Sequence, residues 1–280
     1  MIKHLCDCHV HLHPARIEAD KSEVETILSK IVSTLLNIRR NLVNHGYNLE
    51  RILGIITPPC ADYAYRIFQT EVRRDIVLAG YVFAHWDWKK DFSKFASLIE
   101  RRVIKAIKIH HFISPVLVPD IVNDIINLSS KMGVSLILIH TNSISPGFIE
   151  IIKDWADSGM VIILFHAYWL FSPYQQSSIK GLYGEETWES FLELALRRNV
   201  YIGTSPKEHT YWTPDPDLSR AYGALGDNLI FGSDFSQICL AWPGGPIREY
   251  LSRIERVEKS IGFNERIMYR NFIDILKRIK

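Results

Sequence analysis

The stretch Leu136-Ile137-Leu138-Ile139-His140 carries the reading of the fold. Four branched apolar residues in a row lack the alternation of a strand with one wet face, and the run is too short for a buried helix. It reads as a strand buried on both faces that ends on a histidine. Helical spacing flanks it over 120–131, closed by Gly133, and over 146–157, which opens on proline and stops near Gly159.

The same unit recurs in both directions. Short apolar strands are expected over 52–57, 76–83, 103–109, 160–165, 200–203 and 228–231, with an opening strand ahead of His9. Helices are expected over 22–44, 61–73, 91–101 and 185–198, after Pro216, and over 246–260 and 265–279. Eight buried strands, each followed by a helix, make an α/β chain with a parallel sheet, and 280 residues suit one closed (β/α)8 TIM barrel. An open doubly wound sheet would carry a glycine-rich phosphate loop after its first strand, and none is present. No repeat or linker divides the chain, so residues 1–280 are expected to form a single domain.

Composition narrows the function. Hydrophobic residues are 47%, charged residues 23% and the net charge +2, an ordinary globular balance that offers no basic surface for nucleic acid or membrane. A small-molecule substrate is the expectation. No leader and no run of membrane-spanning length is seen, so a cytoplasmic location is expected. Cys6, Cys8, Cys60 and Cys239 do not make a disulfide framework.

In a barrel of this kind the active site lies where strands end. Beside His140, the run Ile162-Ile163-Leu164-Phe165 ends on His166, and Ile230-Phe231-Gly232-Ser233 ends on Asp234. The opening stretch, Leu5-Cys6-Asp7-Cys8-His9-Val10-His11-Leu12-His13-Pro14, places His9 and His11 two apart, so one strand face can turn both imidazoles to one point. Strand parity sends Cys6 and Cys8 to the opposite face, toward the helices. Taken alone, His-x-His also fits solvated histidines at a strand end. Gathered at one edge, His9, His11, His140, His166 and Asp234 make a nitrogen and oxygen set suited to a divalent metal with a position left for water.

Lys108 shares a face with Ala106 and His110 on the fourth strand. Near a metal it would be carboxylated into a bridging ligand or reach a substrate carboxylate; otherwise it pairs with an acid. Aromatic residues on three loops, with Trp86, Trp169 and Trp212 as walls, suit a flat or apolar substrate, and equally suit loop packing or a homodimer contact.

Asp7, His9 and His11, the strand ends at His140 and His166, and Gly232 to Asp234 together resemble the amidohydrolase superfamily. Lys108 to His110 is similar to its amidohydrolase-2 type, the aminocarboxymuconate-semialdehyde decarboxylase-like branch. The resemblance implies a TIM-barrel metal-dependent hydrolase with one divalent ion, Zn2+ above all. His9, His11, His140 and Asp234 would be ligands with His166 close by. A second metal is implied if Lys108 is carboxylated. Asp234 would hold the attacking water and take its proton, and His166 would polarise the substrate or donate a proton. Lys108 and His110 would meet the substrate, expected to be a small carboxylated, lactone or amide compound. The branch also holds non-oxidative decarboxylases, so a lyase reaction at the same site stays open. A TatD-like deoxyribonuclease would show a glutamate near Lys108 and basic loops, which this chain lacks.

Overall fold

The computed structural model describes residues 2–14, 21–63, 66, 75–85, 87–110, 119–141, 144–206, 214–242 and 244–279. Most of the expected helix over 61–73, and both Trp86 and Trp212, lie outside the described residues.

Eight parallel strands follow one another in sequence order: β1 (Lys3–His11), β2 (Tyr47–Ile56), β3 (Ile76–Phe83), β4 (Ile104–His110), β5 (Leu136–His140), β6 (Val161–Phe165), β7 (Val200–Gly203) and β8 (Leu229–Ile230). Past β8 the chain returns to β1: Cys8 N donates to Phe231 O at 3.0 Å and His11 N to Phe235 O at 2.7 Å, which brings the barrel nearly to closure. The expected (β/α)8 architecture is the observed one.

Helices cover the outside. In α1 (Lys21–Leu42) the stripe Val24, Leu28, Ile31, Leu35, Ile38 and Leu42 is buried against the strands, and Gly46, at φ 82°, turns the chain into β2. The expected helix over 91–101 is two short ones, α2 (Trp88–Ser93) and α3 (Ala96–Glu100). Next come α4 (Pro119–Lys131) and α5 (Pro146–Asp157), the latter capped by Ser145 Oγ, which accepts from Phe148 N. After β6 stands α6 (Pro173–Tyr183), where a loop was expected. It is followed by α7 (Glu185–Ala195), α8 (Pro216–Leu225), α9 (Pro246–Ile261) and α10 (Asn271–Arg278). No helix among the described residues is long and apolar enough to cross a membrane.

The side chains divide into two cores. Outward residues such as Val10, Ile107, Ile109, Ile137 and Ile139 pack under the helices. Inward ones, among them Leu53, Ala79, Ala106, Leu136, Leu138 and Ile163, fill the barrel.

Cys6 and Cys8 belong to the inner set, which corrects the expectation that they face the helices. Asp7 pairs with Ile52 and Val10 with Gly54, so three steps on β1 match two on β2. That bulge resets the alternation. Cys6 and Cys8 point inward before it, and His9 and His11 point inward after it.

Candidate metal centre

The bulge delivers His9 and His11 to the mouth of the barrel at the carboxyl ends of its strands. Their Nε2 atoms lie 3.1 Å apart. Asp234 Oδ1, from the turn that follows β8, is 3.3 Å from His9 Nε2 and 3.1 Å from His11 Nε2. Among the described residues these three form the group of ligand-type side chains close enough to share one ion.

Lys108, fully buried on β4, reaches the same point. Its Nζ lies 2.7 Å from His9 Nε2 and 3.4 Å from His11 Nε2, and 5.3 Å from the centre of the Tyr81 ring. Lys108 therefore enters the cluster from below, on the face its parity gave it. His110 and His140 sit together at a ring separation of 4.1 Å, and His140 lies 4.5 Å from His166, whose ring is 5.2 Å from that of His9. His166 and His140 thus form a row leading away from the cluster and are not among its three donors.

Burial fixes the charge states. It pushes the imidazoles of His9 and His11 down, and the neighbouring Lys108 adds to the shift, so both are neutral at pH 7. Burial likewise brings the Lys108 amine down to about 7 and His166 to about 4. For Asp234 burial works toward protonation, but the adjacent His11, His166 and Lys108 outweigh it and hold the carboxyl well below its usual range. The cluster offers two neutral imidazoles and one carboxylate.

Each ring is held from behind. His9 Nδ1 lies 2.6 Å from Ser205 Oγ, and the ring stacks on Phe165 at 3.9 Å and 11°. His166 Nδ1 donates to Pro206 O at 3.0 Å. That fixes the His166 tautomer with its proton on Nδ1, so neutral His166 presents Nε2 as an acceptor, and the proton-donor role expected for it requires a second proton. His11 Nδ1 lies 2.7 Å from His13 Nε2, while His13 Nδ1 donates to Pro14 O at 2.7 Å. Burial, then the nearby His11, hold His13 down to about 3.

Asp7 ties the two halves of the centre together. Its Oδ1 accepts from Ser233 N at 2.9 Å and His9 N at 3.1 Å, and its Oδ2 from Ser233 Oγ at 2.5 Å and Tyr250 Oη at 2.7 Å. Asp234 itself sits at φ 57° and His166 at φ 63°, conformations that cost a non-glycine residue about 1–3 kcal/mol each. Asp234 N donates to His9 O at 2.8 Å, and Arg253, paired with Glu249 at 2.6 Å, donates to Ser233 O at 2.5 Å. Those bonds hold the strained turn.

Sequence reasoning missed Ser205, Tyr250 and Arg253, whose partners are remote in sequence. It also missed the rings of Tyr81 and Phe83, packed at 4.7 Å beside His110. Trp169 lies in the short helical turn after β6, half-buried against the helix-side core.

No family model matches the chain, and no curated protein matches it. Among solved structures it is similar to N-isopropylammelide isopropylaminohydrolase from Burkholderia multivorans, with a TM-score of 0.56 and 13% identity over 93% of this chain and 75% of that one. A zinc-bound amidohydrolase from Burkholderia ambifaria gives a TM-score of 0.39 and 13% identity over 99% of this chain and 92% of that one. At such identity the first likeness is one of fold, a barrel shared across most of both chains.

Proposed function

We propose that the chain is a metal-dependent hydrolase of amidohydrolase type acting on a small molecule. One observation carries the reading. Two imidazole nitrogens and an ionised carboxylate oxygen, atom types that ligate divalent metals, converge at separations of 3.1 to 3.3 Å at the catalytic end of a barrel. Their identity and spacing suit zinc.

His9, His11 and Asp234 would hold the ion, with His140 or His166, next in the row of rings, as the further ligand. Bound there, a divalent ion supplies Lewis acidity and lowers the pKa of water toward neutrality. The chain's own groups do the rest. Ionised Asp234 accepts the proton of the attacking water, and His166 Nε2 orients a substrate proton. The Phe165 ring and the inner core keep bulk water from the floor of the site. Lys108 as an ammonium competes for the His9 nitrogen; carboxylated, it would offer oxygens and admit a second ion. The substrate class we favour is a small carboxylated, lactone or amide compound.

The test is turnover by the zinc-loaded chain across lactones, amides and carboxylated aromatics, with carbon dioxide release followed in parallel. Hydrolysis lost by a factor of about 10² or more in Asp234→Asn supports the reading. Carbon dioxide release without hydrolysis would replace it with the decarboxylase, and turnover unchanged in Asp234→Asn would end it.

A further inference from the structure

His13 is the third histidine of the opening run and contributes nothing to the three-donor cluster, yet it touches one of its members. A backbone carbonyl can only accept, so the 2.7 Å contact between His13 Nδ1 and Pro14 O places the His13 proton on Nδ1. When His11 coordinates an ion through Nε2, its one remaining ring proton is on Nδ1, and the 2.7 Å contact supplies His13 Nε2 as the acceptor for it. The chain of bonds runs from a fixed carbonyl through His13 to the ring of His11, whose Nε2 lies 3.1 Å from Asp234 Oδ1.

The ring is also held mechanically. His13 meets His11 edge-on at 4.8 Å and 79°, and lies 5.8 Å from the Tyr81 ring. The neighbouring imidazoles of the site are anchored differently: His9 on a serine hydroxyl and His166 on a backbone carbonyl. His11 alone of these three is anchored on another imidazole, itself seated on the chain.

We propose that His13 is a positioning residue that fixes the tautomer and orientation of His11, so that His11 Nε2 is presented to the metal as a lone pair. This rests on the metal-dependent reading of the site. Second-row partners of this kind typically change metal affinity by about 10- to 100-fold when removed.

The experiment compares the full chain with His13→Leu and His13→Gln. Zinc affinity is read by competition with a chromophoric chelator, and unfolding of the metal-stripped proteins by urea. Nitrogen-15 spectra of the stripped wild type report the His11 tautomer. Expected are a loss of about 10- to 100-fold in zinc affinity for His13→Leu with an unchanged unfolding midpoint, and tighter binding in His13→Gln than in His13→Leu, because its amide oxygen can accept the same N–H. The His11 spectrum should show the proton on Nδ1. Equal affinity in wild type and His13→Leu overturns the inference alone, as does a proton on His11 Nε2 or a His13→Gln affinity no better than that of His13→Leu. A wild-type chain that takes up no zinc overturns the metal reading and the inference with it.

Discussion

Replacing Asp7 by alanine should cost more stability than any single change to the metal ligands. Asp7 is fully buried and accepts four hydrogen bonds, two backbone amides on Oδ1 and two hydroxyls on Oδ2. Alanine leaves the amides of His9 and Ser233 without an acceptor, at about 1–3 kcal/mol each. The hydroxyls of Ser233 and Tyr250 can turn elsewhere at smaller cost. Part of the loss is returned, because burial already works against the charged Asp7 carboxyl. A net destabilisation of about 3–5 kcal/mol follows, in the range for breaking a buried charge network. Asparagine keeps Oδ1 for the two amides and turns an NH2 toward the hydroxyl oxygens, so Asp7→Asn should cost about 1–2 kcal/mol. Urea unfolding of the metal-stripped proteins measures both. An Asp7→Ala midpoint equivalent to less than about 0.5 kcal/mol of change, or equal losses for the two variants, would refute the clamp.

Gly232→Ala tests the crowding behind His9. A Cβ there would stand 2.6 Å from Ser205 Oγ and 2.9 Å from His9 Cβ, so a destabilisation of about 1–3 kcal/mol and weaker zinc binding are expected in denaturation and chelator competition. Arg253→Met should cost about 3–5 kcal/mol by the same denaturation, because Glu249, only 1% exposed, loses its charged partner; adding Glu249→Gln should recover part of that loss. Removing metal by chelator should lower the melting temperature of the wild type, and added zinc should restore it, by the stabilisation that binding to the folded state gives.

The barrel was legible because its strands are unbroken apolar runs that end on polar residues. His140, His166 and Asp234 mark those ends in the sequence itself. What spacing could not show is where strict alternation fails. The β1 bulge turned Cys6 and Cys8 inward against their parity, since a bulge leaves little trace in a run of cysteines and histidines. The helix Pro173–Tyr183 escaped notice because among its residues Ile179 alone is buried, while Tyr174 and Leu182 are exposed, so no apolar stripe announces it. Its start was written in the sequence all the same. Ser172 caps it by accepting from Gln175 N, and Pro173 opens the first turn. The partners that hold the site, Ser205 behind His9 and Tyr250 behind Asp7, come from the segment just past β7 and from α9, and only the folded barrel brings them to β1.

The most direct test of the account is the metal content per chain of protein purified without chelator, for wild type, His9→Ala and Lys108→Ala. About one zinc per wild-type chain, lost in His9→Ala and kept in Lys108→Ala, is the expected result. Two ions, one of them dependent on Lys108, would mean a carboxylated lysine bridge. No metal in the wild type under any condition would contradict the central claim that His9, His11 and Asp234 form a metal centre.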